Sequence, residues 1–159
     1  AIKTKHCLSP LLPETVEEHS KNCELYDVVC SFQVLEHIAE PHRFLLSSLK
    51  CLRDGGHLIL SVPNDEFILH QKYLDPLNLP PHHLGCYSEK VFRSIAKNLD
   101  LNFVSAEHQP PSFPQIHTSE SAKNSKLWRS YYRIFSAFGS RLLRFLGEPG
   151  HTLLVVLQK

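Results

Sequence analysis

Methionine is absent from all 159 residues, position 1 included. In a chain of this size the absence points to a fragment, a processed product or an incomplete sequence. No apolar run reaches the length of a membrane span, and the opening AIKTKHCLSP has no signal-peptide core. Neither sign of charge prevails, since 17 Lys and Arg face 16 Asp and Glu for a formal net charge of +1. That balance gives no overall attraction to nucleic acid or to an anionic surface, so partners have to be read locally. The five cysteines, Cys7, Cys23, Cys30, Cys51 and Cys86, include no pair at the spacing of a zinc knuckle. They read as reduced thiols of a cytoplasmic protein. There is no internal repeat and no low-complexity tract, which excludes repeat architectures.

What is present is ordinary globular material, 42% hydrophobic and 21% charged. The length fits one domain, residues 1–159, burying about two thirds of its unfolded surface. Its centre is Tyr26 to Asn64. The valines of Asp27–Phe32 make a short strand, and a helix from about His42 to Leu52 presents Phe44, Leu45, Ser48, Leu49 and Leu52 on one face. Gly55-Gly56 is expected to end that helix, the second glycine allowing a tight entry into a second strand over His57–Val62. Two strands joined this way lie parallel and adjacent, a βαβ unit.

Around this unit, Lys5–Leu8 reads as a short strand and Pro13–His19 as a brief helix with acids in its first turn. Asp65 to Gly85 is a proline-marked loop at the carboxyl end of a parallel strand, where open α/β sheets bind ligands. A helix follows with Ser88 as N-cap and Val91, Phe92, Ile95 and Leu99 as its buried stripe, then a strand over Leu101–Ala106. Residues 109–150 read as an irregular loop and a long amphipathic helix, 125–146, inserted before the last strand. Thr152–Gln158, almost wholly apolar, is expected to be buried on both faces.

The Asp-Val-Val strand, Val34-Leu35-Glu36-His37, and Leu52-Arg53-Asp54-Gly55-Gly56 opening a strand that ends in Val62-Pro63-Asn64 together resemble the middle of a class I S-adenosylmethionine-dependent methyltransferase. The resemblance covers most of residues 26–108 and the last strand. It implies a Rossmann-like α/β sheet, here incomplete, mostly parallel with an antiparallel last strand. The strands at 27, 57, 101 and 152 correspond to the fourth to seventh of that sheet, the seventh lying between the fifth and sixth. The family's Gly-x-Gly-x-Gly cofactor loop occurs nowhere in the chain. Either it lies upstream with the first strands or it is lost.

The resemblance also implies site residues. Ser31, Phe32 and Gln33 match positions that line the S-adenosylmethionine pocket; the alternative is that they turn the chain and pack the core. Glu36 reads as a helix-stabilising residue, and His37 as that or as a group that orients substrate. His82 and His83 follow two prolines that stiffen their approach, and His83 is the candidate base for a hydroxyl acceptor, against a plain exposed loop histidine. No ligand spacing indicates a metal. Cys30 and Cys86 sit in no nucleophile motif, which argues against a cysteine hydrolase.

The implied function is methyl transfer from S-adenosylmethionine to a small-molecule acceptor, with no nucleic acid involved. A non-catalytic methyltransferase-fold module is the alternative. Lys123, Lys126, Arg129, Arg133, Arg141 and Arg144 form the basic side of the 125–146 helix, which reads as a solvated face or as a contact for a membrane, a lipid-like acceptor or a partner helix. An open sheet edge at the first strand adds homo-oligomerisation to the candidate partners.

Overall fold

The computed structural model describes residues 12–66, 80–109, 141, 145 and 150–159. In chain order the elements are α1 (Val16–His19), β1 (Tyr26–Phe32), a 3-10 turn (Leu35–His37), α2 (Pro41–Lys50), β2 (Leu52–Pro63), α3 (Glu89–Asn98), β3 (Asn102–His108) and β4 (Thr152–Gln158). The strands form one sheet in the order β1-β2-β4-β3. β1 and β2 are parallel, whereas β4 runs antiparallel to both β2 and β3. This is the order implied for the fourth to seventh strands, with the final strand wedged between its two neighbours.

The expected βαβ unit is present, with two adjustments. Proline at the first helical position presets the backbone for α2, and the helix ends at Lys50, before the glycines. The Cys51 N–H meets the carbonyls of Ser47, Ser48 and Leu49, which closes the last turn. Gly56 shapes the entry of β2, as expected, and Gly55 joins it there instead of ending the helix. Tyr26 pairs with Leu52 and Val28 with His57, so the residues between Leu52 and His57 bulge out of the ladder. Gly55 takes a left-handed φ of 80° in that bulge, and a side chain on Gly56 would press on the Asp27 and Arg53 carbonyls.

Burial alternates along the strands and shows which face is covered. Leu58, Leu60 and Val62 of β2 and Leu153, Val155 and Leu157 of β4 are buried, and they join Leu45, Phe92 and Ala96 from α2 and α3 in one core. Ile59, Leu154 and Val156, between them, are only half-buried. Among the described residues β4 is therefore covered more closely on one face than on the other, because α2 and α3 both contribute to the same core. On the other side Val28 and Phe32 of β1 are 50% and 56% exposed, and Cys30 is exposed with them. β1 is the edge of the described sheet.

α3 starts after Ser88, as the sequence indicates, although the Ser88 hydroxyl makes no capping bond. Phe92 and Ala96 are buried with Ile95 and Leu99 against them, while Val91, at the margin of the expected stripe, is exposed. Arg93 lies over the Phe103 ring at 4.1 Å from its centroid, fixing α3 to β3. α1 is capped by Thr15, whose side chain accepts from Glu18 N–H while Thr15 N–H and hydroxyl donate back to the Glu18 carboxylate. Cys23 and Cys51 face each other with their sulfurs 3.2 Å apart. The strand expected at Lys5–Leu8, most of the Asp65–Gly85 loop, and the 109–150 insertion lie outside the described residues, save at their edges and at Arg141 and Phe145, which are helical and exposed.

Candidate active site

β1 and β2 run parallel, so their carboxyl ends share one rim, and the candidate residues gather there. Ser31 and Phe32 close β1 and, by strand alternation, point to opposite faces. Ser31 Oγ is buried with no hydrogen-bond partner among the described residues. Gln33 departs from the strand with a left-handed φ of 54°, which is uncommon for a residue with a side chain. Two bonds hold it there, from its N–H to the Ser61 carbonyl at 2.8 Å and from its amide Nε2 to Ser61 Oγ at 3.1 Å. The chain is thereby turned sharply off the rim, exposing the Phe32 ring beside it.

The turn leads into Leu35–His37, against which a distant segment docks. Leu84 and Gly85 both donate their backbone N–H to the Glu36 carbonyl, at 2.7 and 3.1 Å. Tyr87 pairs with Asn64 at the end of β2, and its hydroxyl donates to the Leu35 carbonyl at 3.4 Å. Buried Asn64 donates in turn to the Gly150 carbonyl at 2.9 Å, tying the rim to the start of β4. Burial, together with nearby Glu36 and Cys86, raises the Tyr87 phenol above its ordinary pKa.

This docking brings His37 and His83 together, their ring centroids 4.8 Å apart and nearly perpendicular. His37 Nδ1 lies 2.6 Å from the His82 carbonyl oxygen, and its Nε2 lies 3.8 Å from Glu36 Oε1. His82 thus enters through its backbone. Glu36, read from its sequence context as a helix-stabilising residue, is a buried residue of the 3-10 turn. It is 1% exposed, and its Oε2 has no hydrogen-bond partner among the described residues.

The donor atoms of Glu36, His37 and His83 all lie within 4.8 Å of one another. Sequence spacing indicated no metal, and spacing has no bearing on a cluster assembled from two separate segments. The only signal available beforehand was the Val-Leu-Glu-His string. Cys86, weighed as a nucleophile, has its thiol pKa raised by burial and by Asp65, the reverse of an activated thiolate.

A family profile described as "methyltransferase domain" matches residues 10–106. The chain belongs to that family. Among solved structures, an S-adenosylmethionine-dependent methyltransferase from Archaeoglobus fulgidus aligns with 93% of this chain and 66% of its own, at a TM-score of 0.59 and 16% identity. A methyltransferase from Bacillus halodurans aligns with 92% of this chain and 75% of its own, at a TM-score of 0.57 and 14% identity. These likenesses fix the fold.

Among curated proteins, the mitochondrial ubiquinone biosynthesis O-methyltransferase of Candida albicans is 49% identical over 45 residues, 28% of this chain and 14% of that protein. The corresponding enzyme of Serratia proteamaculans is 25% identical over 62% of this chain and 55% of its own length. This methyltransferase domain therefore spans only part of the curated relatives it matches. No described helix is long and apolar enough to cross a membrane.

S-adenosylmethionine is the donor of this class, and the residues present fit one side of it. The rim offers a buried hydroxyl at Ser31 with no partner among the described residues, an open aromatic face at Phe32 and a sharply turned backbone at Gln33.

Proposed function

We propose that the protein carrying this chain transfers a methyl group from S-adenosylmethionine to a hydroxyl oxygen of a small-molecule acceptor. The observation that carries this reading is the juxtaposition of His37 and His83 on the rim where β1 turns away at Ser31–Gln33. Two O-methyltransferases among the relatives favour oxygen as the acceptor atom.

When bound, S-adenosylmethionine supplies an already activated methyl carbon, so the protein's task is alignment and removal of the acceptor's proton. Ser31, Phe32 and Gln33 form one wall of the cofactor site. His37 is fixed by the His82 carbonyl, and the His83 ring beside it is placed to take the acceptor proton. Free thiols at Cys23, Cys30, Cys51 and Cys86 suit a cytoplasmic setting.

The test uses the full-length protein with S-adenosylmethionine and a panel of phenolic acceptors. His83→Ala should lower kcat more than it weakens cofactor binding measured by calorimetry. Unchanged turnover removes His83 from the reaction, and absence of methyl transfer by the unmodified protein favours the non-catalytic module.

A further inference from the structure

α1 and α2 lie side by side, and between them is a cleft of about 340 Å3, a volume within the range of small-molecule sites. None of its described lining residues belongs to the Ser31–Gln33 turn or to the His37 and His83 pair. Its walls carry mostly one sign of charge.

On α2, His42, Arg43, Leu46, Ser47 and Lys50 follow one another at helical spacing, so one face of that helix forms a wall. Ser20 and Lys21, where the chain leaves α1, form the other, with Glu17 one turn earlier. Three full cations therefore meet a single acid. Lys21 and Lys50 form no close ion pair among the described residues, Lys21 acting only through space on Glu18. Arg43 lies 3.3 Å from Glu40, in a pair so exposed that it holds the guanidinium only weakly.

Ser47 separates this cleft from an ordinary solvated basic groove. A serine within a helix commonly gives its hydroxyl to a carbonyl one turn back, as Ser48 does to Phe44 at 2.9 Å and Ser94 to Lys90 at 3.1 Å. Ser47 does not. It is only 7% exposed, it lines the cleft, and its hydroxyl makes no hydrogen bond among the described residues. A nearly buried hydroxyl donor among two ammonium groups and a guanidinium is what an oxyanion requires, and the exposed side chain of Leu46 offers apolar contact to the rest of a ligand. Water alone would satisfy the hydroxyl but leave the excess positive charge unanswered.

We propose that the α1–α2 cleft binds the phosphate group of a small phosphorylated molecule, held by Lys21, Arg43 and Lys50 with Ser47 as hydrogen-bond donor. A phosphate with a charge of about −2 has oxygens enough to accept from an ammonium group, a guanidinium fork and a hydroxyl at once. The same group occurs on lipid headgroups, but a concave cleft of this volume receives a free molecule, whereas contact with a bilayer calls for an apolar face that enters it. The site is independent of the methyl-transfer reading.

The experiment titrates the full-length protein with inorganic diphosphate by calorimetry at fixed ionic strength, with phosphatidylcholine vesicles containing phosphatidic acid as a parallel arm. One equivalent of diphosphate should bind. Lys21→Gln and Lys50→Gln should each weaken binding about threefold, and Ser47→Ala about tenfold. Glu17→Gln should strengthen it, and Lys97→Gln, exposed on α3, should leave it unchanged. No saturable binding, binding that Ser47→Ala leaves intact, or equal weakening by Lys97→Gln, which would show attraction by net charge alone, overturns the proposal. Capture by the vesicles without binding of diphosphate overturns it as well. Should Ser47→Ala fail to fold, the exposed positions Lys21 and Lys50 still decide, since diphosphate binding unaltered by both of their variants refutes the site.

Discussion

Replacing Glu36 by Gln should make the protein more stable, a result opposite to that expected for most substitutions at a buried position. Gln keeps the volume, so the packing of Leu35 and Tyr87 around it is conserved. What changes is one buried carboxyl oxygen with no partner among the described residues and another 3.8 Å from His37 Nε2. An unsatisfied buried polar group costs about 1–3 kcal/mol, and more when charged. The Gln amide also offers an N–H donor to His37 Nε2, so roughly 1–2 kcal/mol should be recovered. For a domain of this size each kcal/mol moves Tm by about 2–4 °C, giving an expected rise of about 2–8 °C. Differential scanning calorimetry of both proteins reads the difference. A Glu36→Gln protein that melts below the wild type would refute the reasoning, because it would show the carboxyl group stabilising the fold.

Two further outcomes concern the scaffold. The Cys51 thiol, buried against Cys23, has its pKa pushed up from 9.0 to about 12 by burial first and then by Cys23. It should stay unmodified by iodoacetamide at about pH 8.5 in the folded protein while reacting freely in urea, as peptide mass mapping would show; equal labelling in both states contradicts it. Because the folded state keeps this proton longer than the unfolded one, stability from this group should decline as pH rises from about 9 to 12, a sign that urea titrations across that range check. Gly150→Ala places a methyl group into the Gln109 backbone carbonyl, where no side chain can yield. About 2 kcal/mol or more of stability should be lost, and an unchanged urea midpoint would count against the close approach of those two segments.

The parts of the fold that sequence made legible are those set by local pattern. The valines of β1, the stripe of α2 and the Phe92-centred face of α3 each reported their own element, and the resemblance supplied the strand order. Gly55 misled because a helix stop and a strand bulge ask the same conformational freedom of glycine, and only the register between β1 and β2 separates them. β4 was harder to read because an apolar run does not say how closely each of its faces is covered. At the site, His37 and His83 could be picked out as residue types in suggestive places. Their meeting could not, since it depends on Leu84 and Gly85 returning to the Glu36 carbonyl across a long stretch of chain. The burial of Glu36, read as a helix-stabilising residue, was illegible for the same reason, glutamate being rarely buried until a distant segment closes over it.

The position of β4 bears on the order in which this domain can be assembled. It is the last of the four described strands along the chain, yet it lies inside the sheet, pairing with β2 on one side and β3 on the other. Until that segment arrives, the strand pairs that join the two halves of the sheet cannot form. A chain growing on the ribosome would hold the β1–β2 unit and β3 as separate pieces, their apolar faces waiting for Leu153, Val155 and Leu157. Cooperativity then arrives in one late event, and a truncation that removes 152–158 should leave two fragments of a sheet rather than a slightly smaller one.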